Sequence, residues 1–394
     1  MSLLGIPLDK ISEADIQRLI QMGIAESPYM DFKLESYGDG GDDRSEFLAD
    51  VSSFANTLGG DLVIGVAEAK GLPTALTPFT GDCDMEMRRL EQIAISGLEP
   101  RISNLRIRAV SIATGGHVII VRIPRSFVPP HRVIARNSNR FLARAGTTKY
   151  QPNVEQLRHL FNDAPHLTDR IRSFQTDRLV KIAAGDTPIP LRQVGKAVVH
   201  VVPLPSFADG RMLDIVSAVA SGTQVPLPLD DVGFSNRGAV NLEGFLNYTY
   251  AHSGARCAYA QFFRNGAIEG VGELRNDDGV NSYFISTDFT NLVVSHVRQY
   301  LQLLKSFDMG LPVYIFLSLC SATRAVYRHA PASSGFVNTP PLGREIAALP
   351  EIYVDSYDVD VPAVMRPVFN VLWNAFGQPQ CDMYDGQGKW RGVG

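Results

Sequence analysis

The sequence predicts an α+β protein of two domains, and three observations carry that expectation. The chain has 394 residues, of which 45% are hydrophobic and 20% charged. That is ordinary globular composition, long enough for two compact cores at about 150 residues each. Helical apolar stripes alternate with short β-branched runs along the whole chain. Gly and Pro together make up about 15% of the residues, above the usual proportion of about 12%, which points to many connections between short elements.

Taken in order, Ser12 with Asp15 three residues on is a capping-box variant that opens a helix over 12–22, and Gly23 ends it. Residues 24–34 read as a short strand. The run 37–43 is a turn. Asp43 and Glu46 open a second helix with apolar positions Phe47, Leu48, Val51, Phe54, Ala55 and Leu58, stopped by Gly59-Gly60. Strands follow at 62–66, 105–112, 118–123 and 141–145, the middle two joined by Gly115-Gly116. Helices are expected at 84–95 and 153–161. Beyond a linker at 166–187, the pattern gives strands at 197–204 and 313–319 and helices at 211–220, 292–304 and 364–376. It also gives a hairpin within 262–271 around Asn265-Gly266. The domains are therefore 1–165 and 188–394.

Charge is the informative feature. The formal net charge of −4 hides a strong segregation. Residues 1–100 carry 7 basic against 18 acidic side chains, whereas residues 101–150 carry ten basic and no acidic ones. An acidic block followed by a basic block within one domain suggests a local polyanion-binding groove, since phosphate contacts come mainly from Arg and Lys. Arg122, Arg125, His131, Arg132, Arg136, Arg140, Arg144 and Lys149 are the candidate nucleic-acid contacts. Arg140 and Arg144, four apart on an expected strand, should share a face.

Four separated cysteines, with no Cys-x-x-Cys pair, suit a reducing compartment. The first ten residues lack the order of a signal peptide, and the longest apolar runs are far too short for a membrane span. A cytoplasmic protein without membrane association is expected. No P-loop, H-E-x-x-H or G-x-S-x-G motif occurs.

The first domain resembles the Schlafen AlbA_2 family. Glu26-Ser27-Pro28-Tyr29-Met30-Asp31-Phe32-Lys33 resembles its opening E-S-x-x-x-E-F-K. The helix at 47–58 with Gly59-Gly60-Asp61-Leu62-Val63-Ile64-Gly65-Val66 resembles its centre. Residues 117–125 with Pro130-His131, and then 140–148, resemble its later strand, turn and closing motif. The resemblance covers about 12–163. It implies a Schlafen AlbA_2-like α+β domain; the rest of the chain reads from its own pattern as a second mixed α/β domain of unassigned role. It also implies a three-carboxylate site in which Glu26, Asp31 and Glu68 hold a metal and, with Lys33, are catalytic. Asp31 stands where Glu is usual, and Ala67 displaces the third acid, leaving Asp61 as its alternative.

The residues themselves suit that chemistry. Three carboxylates would suit Mg²⁺ or Mn²⁺ with waters left for a phosphate and a nucleophile, and Lys33 would offset charge on the phosphorane. The spacing of five between Glu26 and Asp31 needs a bend at Pro28 to bring both to one face. The function that the resemblance implies is a divalent-metal-dependent endoribonuclease acting on structured RNA such as tRNA, in prokaryotic defence or stress response. The rival is a non-catalytic nucleic-acid-binding regulatory protein. Because Schlafen cores surround tRNA with two lobes and this chain has one, a homodimer is expected.

Overall fold

The computed structural model describes residues 3, 6, 8–135, 138–208, 213–215, 225–230, 238–249, 257–274, 283–329 and 337–392. The chain divides into two compact units, Met1–His166 and Leu167–Gly394.

In the first unit, helix α1 (Glu13–Gln21) starts as its capping signal requires: the Asp15 carboxylate accepts from the Ser12 amide at 3.0 Å and the Ser12 hydroxyl at 2.7 Å. Strand β1 (Met30–Lys33) is shorter than the run 24–34, because a tight turn occupies the preceding residues. Helix α2 (Gly41–Ala55) begins before Asp43 and ends short of Leu58. Its end is set by Gly59, at φ +70°, where a Cβ would lie 2.4 Å from the Arg125 nitrogen. Then come β2 (Gly60–Ile64), the hairpin β3 (Val66–Ala69) and β4 (Leu72–Leu76), helix α3 (Cys83–Gly97) and β5 (Leu98–Glu99). Strands β6 (Arg106–Ser111) and β7 (His117–Ile123) form the Gly115-Gly116 hairpin. Short strands β8 (Arg132–Val133), β9 (Arg140–Phe141), β10 (Ala143–Ala145) and β11 (Thr148–Tyr150) complete the unit.

A four-stranded sheet in the order β1-β2-β7-β6 lies at its centre, with β1 and β2 parallel. Alternation sorts its side chains. Leu62, Ile64, Ile119, Val121 and Ile123 pack with Phe47, Val51 and Phe54 of α2 and Leu90 of α3. Val63, Val118, Ile120, Met30 and Phe32 pack with Ile16 and Leu19 of α1 on the other face. Both faces are covered, so β2 and β7 read as continuous apolar runs.

Helix α4 (Val154–Ala184) corrects the expected linker: residues 166–184 are helical. Ile171, Gln175, Arg178 and Ile182 are buried at helical intervals, which holds this stretch as helix. The second unit is built on an antiparallel sheet of β12 (Lys196–Pro203), β13 (Ala239–Val240), β14 (Gly244–Thr249), β15 (Ala258–Phe263), β16 (Ile268–Glu273), β18 (Val313–Cys320), β21 (Ile346–Ala348) and β22 (Ile352–Val354). Their order is β13-β14-β15-β16-β12-β18, with β21 and β22 both pairing on β18. Strands β17 (Tyr283–Ile285), β19 (Ala325–His329) and β20 (Val337–Asn338) form a separate small sheet. The Asn265-Gly266 turn joins β15 to β16 as the dipeptide predicts. Helices α5 (Thr287–Ser306) and α6 (Val361–Ala375) contribute to the larger core with Trp373 fully buried. Leu179 and Ile182 of α4 pack with Val198, Tyr259 and Val271 of the sheet. The helix expected at 211–220 lies, apart from 213–215, outside the described residues.

Candidate active site

The site begins with a fold in the backbone. The Ser27 amide donates to the Met30 carbonyl at 3.0 Å, and the Met30 amide returns to the Ser27 carbonyl at 3.2 Å. This tight turn around Pro28 folds Glu26 back along β1, so that Glu26 Oε1 accepts from the Phe32 amide at 3.0 Å. The interval of five is thereby closed. On β1 itself Met30 and Phe32 face the α1 core, leaving Asp31 and Lys33 on the opposite face with α2.

Glu26 is thereby brought close enough to Asp31 for the Asp31 charge to bear on its carboxyl. Burial pushes the Glu26 carboxyl up to about 7; the Phe32 amide opposes this, and the Asp31 and Glu68 charges reinforce it. Lys33 Nζ lies 3.1 Å from Asp31 Oδ2 and 3.5 Å from Asp50 Oδ2. Burial disfavours the ammonium, but the Asp50 and Asp31 charges outweigh it and keep Lys33 protonated. Asp50, fully buried on α2, also accepts from the Tyr37 hydroxyl at 2.7 Å and pairs with Lys149 Nζ at 2.9 Å. Lys149 reaches Glu46 as well.

Asp50 and Tyr37 were not among the residues the sequence singled out. The signal was present: Asp50 stands inside the apolar stripe Phe47–Phe54 of α2, where a carboxylate is tolerated only with partners.

The hairpin β10–β11 pairs Arg144 directly with Lys149. Arg144 is buried, its guanidinium stacked on the Phe54 ring at 4.0 Å from the centroid. Its Nη2 donates to the Thr147 carbonyl at 3.1 Å and lies 3.6 Å from Asp31 Oδ1. Nε and Nη1 are buried without a hydrogen-bond partner. Each such orphaned donor costs roughly 1–3 kcal/mol.

The basic block is less of an open groove than its composition suggests. Arg122 is corrected first: it is buried, bidentate to Asp61 at 2.8 Å, and donates to the Leu3 and Ile6 carbonyls. This ties down the N-terminal segment and removes Asp61 as a third active-site acid. His131 is the second correction. It is fully buried, with Nδ1 2.6 Å from the Pro100 carbonyl and Nε2 2.6 Å from Ser126 Oγ, and burial lowers its pKa. It anchors a turn and offers nothing to solvent. Arg140 and Arg144 do not share a face on one strand. The Leu142 carbonyl is taken by Asn56 Nδ2 at 2.9 Å, which separates β9 from β10, so Arg140 is exposed and Arg144 is inside. Arg132 pairs with Glu99 at the surface, Arg125 is exposed, and Arg136 lies outside the described residues.

Glu68 is exposed, and its Oε2 accepts from the Gly71 amide at 2.6 Å. It acts on Glu26 through its charge. Among the described residues no group of three or more His, Cys, Asp or Glu side chains is gathered to hold a metal ion. The Glu26–Asp31 pair has by itself the chemistry of a divalent-cation ligand set, two crowded carboxylates whose charge a cation would relieve. Beside the site, a cavity of about 720 Å³ is lined by residues that include Leu34, Tyr37, Phe79, Glu86 and Arg89. Tyr37 is common to its wall and to the Asp50 cluster.

Residues 26–153 match the family model described as Schlafen, AlbA_2. The N-terminal unit carries a Schlafen AlbA_2 domain, a class associated with nucleic acid. No curated protein matches the chain. Among solved structures, the DIP2311 protein of Corynebacterium diphtheriae is 15% identical with a TM-score of 0.27, over 37% of this chain and 27% of that one. The N-terminal domain of a RecG-related protein from Nitrosomonas europaea is 17% identical with a TM-score of 0.26, over 36% of this chain and 95% of that one. No helix among the described residues is long and apolar enough to cross a membrane.

Proposed function

We propose that the N-terminal unit is a divalent-metal-dependent endoribonuclease acting on structured RNA such as tRNA. The observation that carries this reading is Glu26 folded back onto the Phe32 amide at 3.0 Å, next to Asp31, with Lys33 Nζ 3.1 Å from Asp31. Crowded carboxylates beside a fixed ammonium suit a phosphodiester, whose attack builds negative charge. Glu26 and Asp31 would hold Mg²⁺ or Mn²⁺, with Glu68 joining them on release from the Gly71 amide. The bound ion would supply Lewis acidity and an activated water. Lys33 would offset the charge developing on phosphate. Exposed Arg125 and Arg140, with Arg132, would hold the flanking backbone.

The finer reading adds a cytoplasmic homodimer, in which two copies supply two basic walls to one RNA and act in prokaryotic defence or stress response. The second unit would sense, recruit or dimerise.

The test is purified protein with total tRNA, with and without Mn²⁺, beside Glu26→Ala, with the particle mass taken by light scattering. Mn²⁺-dependent cleavage lost in the variant, by a dimer, is expected. Binding without cleavage by either protein would favour the regulatory rival, to which the occupied Glu68 carboxylate lends weight. A cleaving monomer would refute the two-wall arrangement.

A further inference from the structure

Arg144 sits where the basic block predicts a phosphate contact, yet its side chain is only 2% exposed. A phosphate on the surface cannot meet it. Its own contacts point inward. The Phe54 ring covers one face of the guanidinium, the Thr147 carbonyl fixes Nη2, and Asp31 Oδ1 lies 3.6 Å from that same nitrogen. Asp31 Oδ2 is taken from the other side by Lys33. The carboxylate is therefore gripped at both oxygens by cations from two different elements, β1 and the β10–β11 hairpin.

The hairpin is itself held in place. Lys149, the cross-strand partner of Arg144, is tied to Asp50 and Glu46 of α2. The Leu142 carbonyl just before it is tied to Asn56 at the end of that helix. Arg144 thus projects from a short hairpin clamped to α2 at two points. Two of its nitrogens stay unpaired in the interior. An isolated packing role would be met by an apolar side chain, which would leave no buried donors unpaired.

We propose that Arg144 is a positioning residue for the reaction read above: it fixes the orientation of the Asp31 carboxylate beside Glu26 and makes no contact with RNA. This rests on the endoribonuclease reading and assigns to Arg144 a task different from that of the exposed arginines.

The test compares wild type, Arg144→Gln and Arg144→Lys in Mn²⁺-dependent tRNA cleavage and in titration with Mn²⁺ alone. Arg144→Gln is expected to lower kcat by about 10–100-fold, the usual range for loss of a group that orients a ligand. KM and the salt dependence of binding should stay unchanged, and Arg144→Lys should recover part of kcat. The Mn²⁺ titration reads the same point by its sign. A neighbouring cation acting only through its charge would, on removal, tighten Mn²⁺. Loss of Asp31 positioning weakens it, and weaker binding is expected.

Three results overturn the proposal while sparing the reading. One is unchanged kcat in Arg144→Gln, and another is tighter Mn²⁺. The third is a raised KM with a salt slope reduced by about 0.7–0.9, the mark of a lost phosphate contact. Should Arg144→Gln unfold, Arg144→Lys carries the test, and wild-type kcat with a raised KM in that variant overturns the proposal. A wild-type protein that neither cleaves RNA nor binds Mn²⁺ overturns the reading, and the proposal with it.

Discussion

Replacing Glu26 by Gln should stabilise the N-terminal unit and, on the proposed reading, abolish cleavage. In the folded protein the Glu26 carboxyl is lifted from its ordinary 4.5 to about 7 by burial and by the charges of Asp31 and Glu68. A carboxylate raised in this way leaves the folded state unpenalised below pH 4.5. The penalty grows between there and 7 and is complete above it. At about 1.4 kcal/mol for each tenfold change in proton affinity, full enclosure would make it roughly 3 kcal/mol. Glu26 is only partly enclosed, so solvent screening reduces this to about 1–2 kcal/mol. Glutamine keeps an oxygen to accept from the Phe32 amide and gains an NH₂ to donate to Asp31.

The assay is urea unfolding in EDTA at pH 8 and pH 4.5, followed by far-ultraviolet circular dichroism. Both tryptophans, Trp373 and Trp390, belong to the second unit. Their emission therefore reports the second unit separately. A gain at pH 8 that disappears at pH 4.5 is expected. A loss of stability at pH 8, or an equal change at both pH values, would refute the charge-crowding argument.

Two further outcomes follow from the same physics. Arg178→Met in the second unit removes a bidentate partner, at 2.8 Å twice, from the fully buried Glu269. Loss of one member of such a pair should cost about 3–5 kcal/mol, read from the tryptophan transition in urea; a change under about 1 kcal/mol would contradict it. Burial alone would raise Glu269, but Arg178 and His200 hold it at about 2, so its contribution is present above the ordinary 4.5 and is lost as pH falls towards 2. Arg140→Glu, at an exposed position, should weaken RNA binding and flatten the log K against log salt slope by about 0.7–0.9 for each lost phosphate contact. An unchanged slope in a gel-shift titration would make Arg140 a solvated surface charge.

Periodicity, capping signals and turn residues determined by themselves the α+β class, the longer helices and about half of the strands. The stripe on α2, the Ser12 capping box and the Asn265-Gly266 hairpin are local, and they appear where their chemistry requires. The motif order likewise brought Glu26, Asp31 and Lys33 forward as a group. What these residues do to one another was decided by tertiary structure. The pairing of Glu26 with Asp31 depends on a turn at Pro28 that redirects the chain. Asp50 and Tyr37 join through the packing of α2 on the sheet.

The basic block shows the difference most clearly. By composition its members are equivalent, because charge is a property of the residue. By position Arg122 locks Asp61 inside, His131 pins a turn, Arg144 faces Asp31 and Arg140 faces solvent. Burial and partnership are set by contacts distant in sequence, such as that between Arg122 and Asp61, 61 positions apart. The linker was misread for the same reason. What holds 166–184 as helix is the burial of Ile171, Gln175, Arg178 and Ile182, and part of the surface they meet, in Glu269 and Ser318, lies far along the chain.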